Sequence, residues 1–426
     1  MTSRLGIFFF LVCVTIDFAN AMPKAAYSLK GWDRLNVYTS KSDALLGQDH
    51  AVTFEQTYSA DTVFSAKAQI YGYAGNAKQN LIQSSDRADQ GRQFTELWLG
   101  DAYAQFASGP TLFRIGYQQI SWQEGFAASY TNFINSRDGR TSVFENSDQI
   151  FRSAPLANLI WSGEHLSAQL IYIPFSQFDI RSPASRWGSR APLTLLPGQT
   201  VEIGDHTSGS FEFRPAQEFG SRVTWAGSGL DFSAFAAHLK DRQGYFSVSA
   251  ESTFMNLKLT SEQDFINPVG VTSSATFGDY VARAELLRTA SRRFNTVNAI
   301  NLSTIDTGET AATLGLDSPG GTGYSFSLQH SISMLDRDAS GLFRRQNENL
   351  SFASVAYTYP RDAWLRISMI YVHADQTLSG RVAYRRPVSK RAEIEFAFEA
   401  SSGPSSSLGA ALKDLNRAFT QFSYAL

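Results

Sequence analysis

Charged residues of opposite sign flank a short turn, 387–390, near the C-terminus of the chain. They recur at even spacing and are Arg381, Arg385, Glu393, Glu395 and Glu399. In an antiparallel hairpin they share one face, which brings Arg385 opposite Glu393, and such cross-strand pairs contribute about 0.2–1 kcal/mol each. Two interpretations stay open. The charges could form a positive and a negative wall that set up an electric field across a water-filled space, or they could form an ion-pair network with only a structural role.

Residues suited to catalysis or metal binding are scarce. The chain has six His and one Cys, Cys13, and contains no Gly-x-Ser-x-Gly or His-Glu-x-x-His motif. Glu393 and Glu395 face arginines, which favours the ionised carboxylate over a group poised for proton transfer. We therefore predict no enzymatic activity, no catalytic residues, no cofactor and no metal.

The composition indicates a folded chain with an unusually weakly charged surface. Of the 426 residues, 18% are charged and 13% aromatic, with a net charge of −2. Soluble domains have about 25% charged residues. Neither a disordered chain nor a nucleic-acid partner fits these values. A surface of this kind is expected to face something less polar than water.

The N-terminus predicts export. Arg4 precedes an apolar run over 5–16, and Ala19-Asn20-Ala21 has the pattern of a cleavage site. The run is shorter than the roughly 20 residues of a membrane-spanning helix. We predict a signal peptide over 1–21 and one domain over 22–426.

Strict alternation of apolar and polar residues predicts β-strands, as over 324–334 and 391–400. Tight turns alternate with long polar connections, which are placed near 75–93, 123–153, 176–217, 242–267, 290–309, 335–349 and 401–416. This layout is typical of outer-membrane barrels, whereas long structureless loops are uncommon in compact soluble domains.

The strand count follows from the turns. Eight tight turns define sixteen strands, the C-terminal segment 417–426 adds one, and the extended segment 28–39 makes eighteen. The predicted fold is all-β: a transmembrane antiparallel β-barrel of eighteen strands, with sixteen as the alternative. Short turns would face the periplasm and long loops the outside of the bacterial outer membrane.

Alternate residues of the C-terminal strand are apolar. Phe422, Tyr424 and Leu426 fall on one face, similar to the signal of outer-membrane proteins. We expect this strand to engage the barrel-assembly machinery, and the outer face to contact membrane lipid. The aromatic residues predicted to face that lipid are Trp98, Tyr172, Trp225, Tyr357, Tyr371 and Tyr424.

The opposite parity defines a polar lumen. Besides the hairpin charges, its predicted lining includes Arg114, Gln118, Arg222, Arg283, Glu285 and Arg366. Charges crowd the inner face and are nearly absent from the outer one, because an Arg or Lys on the lipid face near the bilayer midplane costs about 2–4 kcal/mol.

The segment 113–140 resembles the strand-and-loop signature of alginate-export-type porins and related proteobacterial outer-membrane proteins of undefined substrate. The matching residues are Gly116, Gln118, Trp122, Asn135, Arg137 and Asp138. The resemblance implies an eighteen-stranded monomeric channel whose lumen is lined by arginine for anionic solutes.

The connection over 123–153 is a candidate constriction loop. Its polar residues could bond to one another and to the inner wall: Asn132, Asn135, Arg137, Asp138 and Arg140. Such a loop would narrow the mouth, and constrictions set pore selectivity. The alternative is a polar loop that stays outside. The long connection 176–217 is a second candidate lid.

Two functions remain open at this point. The first is an outer-membrane channel for passive diffusion of small hydrophilic solutes, with inner arginines that favour anions. The second is a surface-exposed barrel with a blocked lumen that acts as an adhesin or structural anchor.

Overall fold

The computed structural model describes most of the chain after its first 24 residues. The described residues are 25–39, 44–59, 64–75, 94–124, 130–138, 144, 150–179, 200–203, 214–249, 252, 256–298, 301–318, 323–337, 342, 346–404 and 416–425. The predicted signal peptide, Arg140 and Leu426 lie outside them.

Strands dominate the described residues. In chain order they are β1 (Ala25–Thr39), β2 (Ala44–Ser59), β3 (Phe64–Gly75), β4 (Phe94–Ser108), β5 (Thr111–Gln118), β6 (Ala154–Ser162), β7 (Leu166–Ser176), β8 (Thr200–Ile203), β9 (Arg214–Ala226), β10 (Leu230–Lys240), β11 (Tyr245–Val248), β12 (Asn256–Glu262), β13 (Phe265–Ile266), β14 (Pro268–Phe277), β15 (Tyr280–Asn298), β16 (Asn301–Asp317), β17 (Gly323–Leu335), β18 (Asn347–Thr358), β19 (Trp364–Val372), β20 (Thr377–Ser389), β21 (Ala392–Ser402) and β22 (Arg417–Ala425).

One closed antiparallel barrel contains all of these strands except β8, β11 and β12. Since β13 and β14 are two segments of a single barrel strand that both pair with β10, the described residues form eighteen barrel strands. The barrel closes where β1 pairs with β22, from Lys30 opposite Ala425 to Tyr38 opposite Arg417. The predicted all-β barrel of eighteen strands is confirmed.

The two ends of the barrel differ in their connections. Short connections, such as those after β4 and β14, gather at one end, which we call the turn end. The other end, the loop end, carries the long connections after β3, β5, β7, β10, β17 and β21. The β1 start and the β22 end both lie at the turn end, as an even strand number requires.

Side chains alternate between an apolar outer face and a polar inner face. On β21, the outward Phe396 and Phe398 are 47% and 48% exposed, whereas the inward Glu395 and Glu399 are 9% and 8% exposed. This is the period-2 alternation that the sequence predicts for a strand between lipid and lumen. None of the described helical segments is both long and apolar enough to cross a membrane.

The predicted long connection over 290–309 is wrong. β15 and β16 continue through it as a paired hairpin, up to Asn298 opposite Asn301. Its polar composition reflects contacts above the barrel: Arg292 pairs with Asp241 at 2.7 Å. Asn295 exchanges two hydrogen bonds with the backbone of Phe246 in β11. The small sheet of β8, β12 and β11 thus contacts the β15–β16 hairpin, whose polar sequence resembles that of a loop.

The predicted lipid-facing position of Trp98 is also wrong. The β3–β4 register shifts between Ala68 and Ile70, so that β4 has one extra residue between Leu99 and Ala102. A bulge of this kind reverses the parity of the residues beyond it. Trp98 therefore points inward, is 8% exposed, and stacks on Tyr71 with ring centroids 5.4 Å apart. Trp225 and Tyr172 lie on the outer face as predicted, 44% and 38% exposed.

Replacing an outward apolar residue with a charge tests this orientation. Phe398→Arg is expected to lower the free energy of unfolding by about 2–4 kcal/mol, because a guanidinium on the lipid face must be desolvated. Reversible urea unfolding in lipid vesicles measures it. Ser274→Arg is the matched control, since Ser274 faces inward beside Asp231 at 3.5 Å and should tolerate the charge. Equal destabilisation by both substitutions would contradict the assignment.

Candidate functional site

The described residues of the segment between β5 and β6 (119–124, 130–138, 144 and 150–153), which we call the inner loop, enter the barrel. Its Trp122 is completely buried. The indole packs on the inward-facing Phe235 of β10, with ring centroids 5.6 Å apart. Ile120 and Ile134 of the loop join the same cluster, which also contains inward residues of β7, β10, β15 and β16. Part of the barrel interior is thus an apolar core.

Gly220 of β9 makes this packing possible. A Cβ atom there would lie 2.8 Å from Trp122 Cη2 and 2.9 Å from Ile171 Cγ1. Real Cβ contacts are longer, so only glycine allows the indole to approach the wall this closely.

A chain of hydrogen bonds ties the same indole to the wall. Trp122 Nε1 donates to Gln169 Oε1 at 2.8 Å, and Gln169 Nε2 donates to Asn158 Oδ1 at 3.0 Å. Asn158 Nδ2 then donates to Gln118 Oε1 at 3.3 Å. Gln118, predicted to line the lumen, is only 2% exposed, so it lies under the loop and helps to hold it.

Glu124 fixes the start of the inner loop to the arginines of the wall. Its carboxylate lies 3.0 Å from Arg222 Nη2 and 3.7 Å from Arg283 Nη1. Its backbone N–H donates to Glu285 Oε1 at 2.5 Å, and Arg283 also pairs with Asp317 at 2.7 Å. The structure therefore brings three predicted lining residues together at Glu124: Arg222 and Arg283 at its carboxylate, and Glu285 at its backbone N–H.

Other predicted loop residues shape the loop itself. Asn135 Nδ2 donates to the Ile120 carbonyl and its Oδ1 accepts from the Ile120 N–H. Asp138 forms a buried ion pair with Arg152 at 2.6 Å. The Arg137 N–H donates to Asp179 Oδ1 at 2.7 Å, while Asn132 is 9% exposed. Buried charges persist only when paired in this way.

The hairpin charges form a network on the wall from β20 to β22. Arg381 pairs with Glu395 and, at 3.3 Å, with Glu399, while Arg385 pairs with Glu393. Arg417 joins it at 2.9 Å from Glu399. The predicted Arg385–Glu393 ion pair is present, but the predicted register is wrong: Arg385 lies opposite Glu395 and Arg381 opposite Glu399. The reason is that β20 stays paired up to Ser389, so the turn is shorter than predicted and the Arg385–Glu393 pair is diagonal. These arginines are neutralised by their partners.

Arg381 also reaches the inner loop. Its Nη1 donates to the Phe144 carbonyl at 3.0 Å. The loop therefore contacts the wall at β9 and β15 through Glu124, and at β20 through Phe144. The described residues of the loop therefore touch the wall at more than one place.

Two inner arginines differ from the rest. Arg366 of β19 is exposed, and its guanidinium lies 4.9 Å from the Trp364 ring centroid. Arg114 of β5 donates to Gln105 Oε1 at 2.5 Å and lies over Tyr103. Within the described part of the chain, neither has a carboxylate within ion-pair distance. Both therefore carry positive charge on the inner wall without a direct ion pair among the described residues.

Sequence reasoning missed Trp122, Glu124 and Gln169 as anchors of the loop. One signal was present: apolar residues such as Phe235, Leu239 and Leu287 occupy the parity that should face water. An apolar stripe inside a barrel indicates that something must cover it. Of the second candidate lid, 176–217, Arg181, Arg186, Trp187 and Arg190 lie outside the described residues.

The docking of the inner loop is testable. Trp122→Ala removes an indole whose burial stabilises the packed loop by about 3–5 kcal/mol, so the loop should detach. In the folded barrel, trypsin should then cleave within 119–153. Trp161→Ala is the matched control because Trp161 lies on the outer face, 40% exposed. Full protease resistance of the Trp122 variant would show that the loop does not depend on this contact.

Comparisons with known proteins support the fold. No protein-family model and no curated protein matches the sequence. Among solved structures, the barrel is similar to Acinetobacter baumannii OccAB4, with a TM-score of 0.53 and 9% identity over 96% of this chain and 99% of that one. It is also similar to Pseudomonas aeruginosa OccK8 (OprE), with a TM-score of 0.52 and 9% identity over 95% and 98%.

A third similar structure is Salmonella typhi OmpF in complex with daunomycin, with a TM-score of 0.50 and 10% identity over 96% of this chain and 99% of that one. Identities this low show the fold alone. The fold is an eighteen-stranded closed antiparallel barrel like those of these outer-membrane porins, and its apolar outer face fits an outer membrane.

Proposed function

We propose that this barrel is a passive outer-membrane channel for small hydrophilic solutes, with a preference for anions. The observation that carries the proposal is the pair Arg366 and Arg114, whose positive charges on the inner wall have no direct ion pair among the described residues. Positive charge lining a narrow aqueous path raises the local concentration of anions and lowers their barrier to passage.

The inner loop would set the size limit. It fills the side of the lumen along β7, β10 and β15, where Trp122 and Ile134 are buried. Solutes would pass along the remaining side, beside the ion-pair network of Arg381, Glu395 and Glu399. In this account the paired arginines keep the wall rigid, while Arg366 and Arg114 attract the solute.

Several narrower expectations belong to the same proposal. The channel would work as a monomer and would resemble alginate-export-type porins in preferring anionic solutes. Its last strand, β22, with Phe422 40% exposed on the outer face, would be recognised by the barrel-assembly machinery. No catalytic step is needed for any of this.

A second function draws on a specific observation. The described residues of the inner loop contact Arg283 of β15 through Glu124 and Arg381 of β20 through Phe144. A loop that closed the remaining space would make the barrel an anchor or adhesin that acts through its surface.

Single-channel recording in planar bilayers under a salt gradient separates the two functions. Steady conductance with anion preference is expected, and Arg366→Ala should reduce that preference because it removes an unpaired charge from the path. Arg386→Ala is the matched control, since Arg386 is exposed and has the outward parity of β20. Conductance without ion preference would refute the role of arginine, and no conductance from folded protein would favour the anchor.

A further inference from the structure

A furrow runs across the outer face of the barrel from β5 to β10. It encloses about 480 Å³, and its floor is made of small residues, Ala157, Ser221 and Ala236. Larger apolar side chains rise on both sides, among them Leu170 and Phe219. A barrel wall facing only fluid lipid needs no such depression, but a single extended apolar chain would fit along it.

The furrow ends in a cationic cap near the loop end. His238, which lines the furrow, is stacked on Phe265 with ring centroids 4.4 Å apart and an interplanar angle of 7°. Lys240 Nζ lies 4.1 Å from the same ring centroid and donates to the Gln263 carbonyl at 3.0 Å. One aromatic ring therefore holds a lysine and a histidine together on the outward face.

The cap keeps hydrogen-bonding capacity for an anion. Nδ1 of His238 lies 2.7 Å from Asn267 Oδ1, and since an amide oxygen only accepts, that nitrogen donates. An ammonium has three donors, and Lys240 uses one of them for Gln263.

The neighbouring carboxylates are already engaged. Asp241 pairs with Arg292 at 2.7 Å, and Asp264 pairs with Arg293 at 2.9 Å. Over the residues that the structure describes, no carboxylate pairs with Lys240 or His238. A lysine near the lipid headgroups without an acidic partner attracts anionic lipid.

We propose that the furrow and its cap form a binding site for one anionic lipid. An acyl chain lies over Ala236 and Ser221, and the headgroup phosphate accepts hydrogen bonds from the Lys240 ammonium. The site is separate from the lumen and does not depend on whether the channel conducts. The combination of a chain-sized apolar furrow and a cation at its headgroup end selects lipid over a protein partner.

Native mass spectrometry of the delipidated, detergent-solubilised barrel tests the site. The probes are dimyristoyl phosphatidylglycerol and dimyristoyl phosphatidylcholine, which share their acyl chains but differ in net charge. One phosphatidylglycerol should bind more tightly than phosphatidylcholine. Lys240→Ala should weaken phosphatidylglycerol binding by about fivefold, the effect of one cation near the headgroups, and leave phosphatidylcholine unchanged.

The furrow is tested separately from the charge. Ala236→Leu should weaken the binding of both lipids, because the larger side chain fills the floor. Matched controls are Lys390→Ala at the turn end and Ala353→Leu on the outward parity of β18, both expected to bind like the wild type. Equal affinity for the two lipids, or equal losses in the controls, would overturn the proposal. Dimers or trimers that Ala236→Leu disperses would assign the furrow to a second copy instead.

Discussion

No backbone N–H or C=O can stay unpaired in the hydrocarbon of a membrane, and the pairing of β1 with β22 meets this requirement. Closure leaves no edge in the barrel sheet, so every barrel strand has one face toward lipid and one toward the interior. Apolar residues such as Phe398 must then point out, and charges such as Glu399 must point in. The polar lumen is thus a consequence of closure before it is a device for selecting solutes.

The interior so created is divided unequally. On one side, inward apolar residues including Phe235 and Leu287 are covered by Trp122 of the inner loop, and Glu124 secures the loop to Arg222 and Arg283. On the other side, most arginines are matched by glutamates, which leaves Arg366 as exposed positive charge. The lumen therefore has an apolar side that is covered by the inner loop and a charged side on which Arg366 is exposed.

Alternation of residue type allowed much of this barrel to be predicted. Strand number, turn positions and the Arg–Glu hairpin follow from local spacing. Three features do not. A bulge of one residue in β4 turned Trp98 inward, and the polar hairpin around Asn298 resembled a loop because its partners are distant in sequence. Gln118 is buried by a loop whose docking depends on tertiary contacts that spacing cannot reveal.

The two-sided lumen is tested most directly by thiol accessibility during current recording. The only cysteine, Cys13, lies in the predicted signal peptide, so single cysteines can be introduced at Arg366 and at Asn158 under the loop. A charged, water-soluble thiol reagent should modify the first quickly and change the current, and should leave the second unmodified. Rapid modification of the Asn158 variant, or a protected Arg366 variant, would contradict the account.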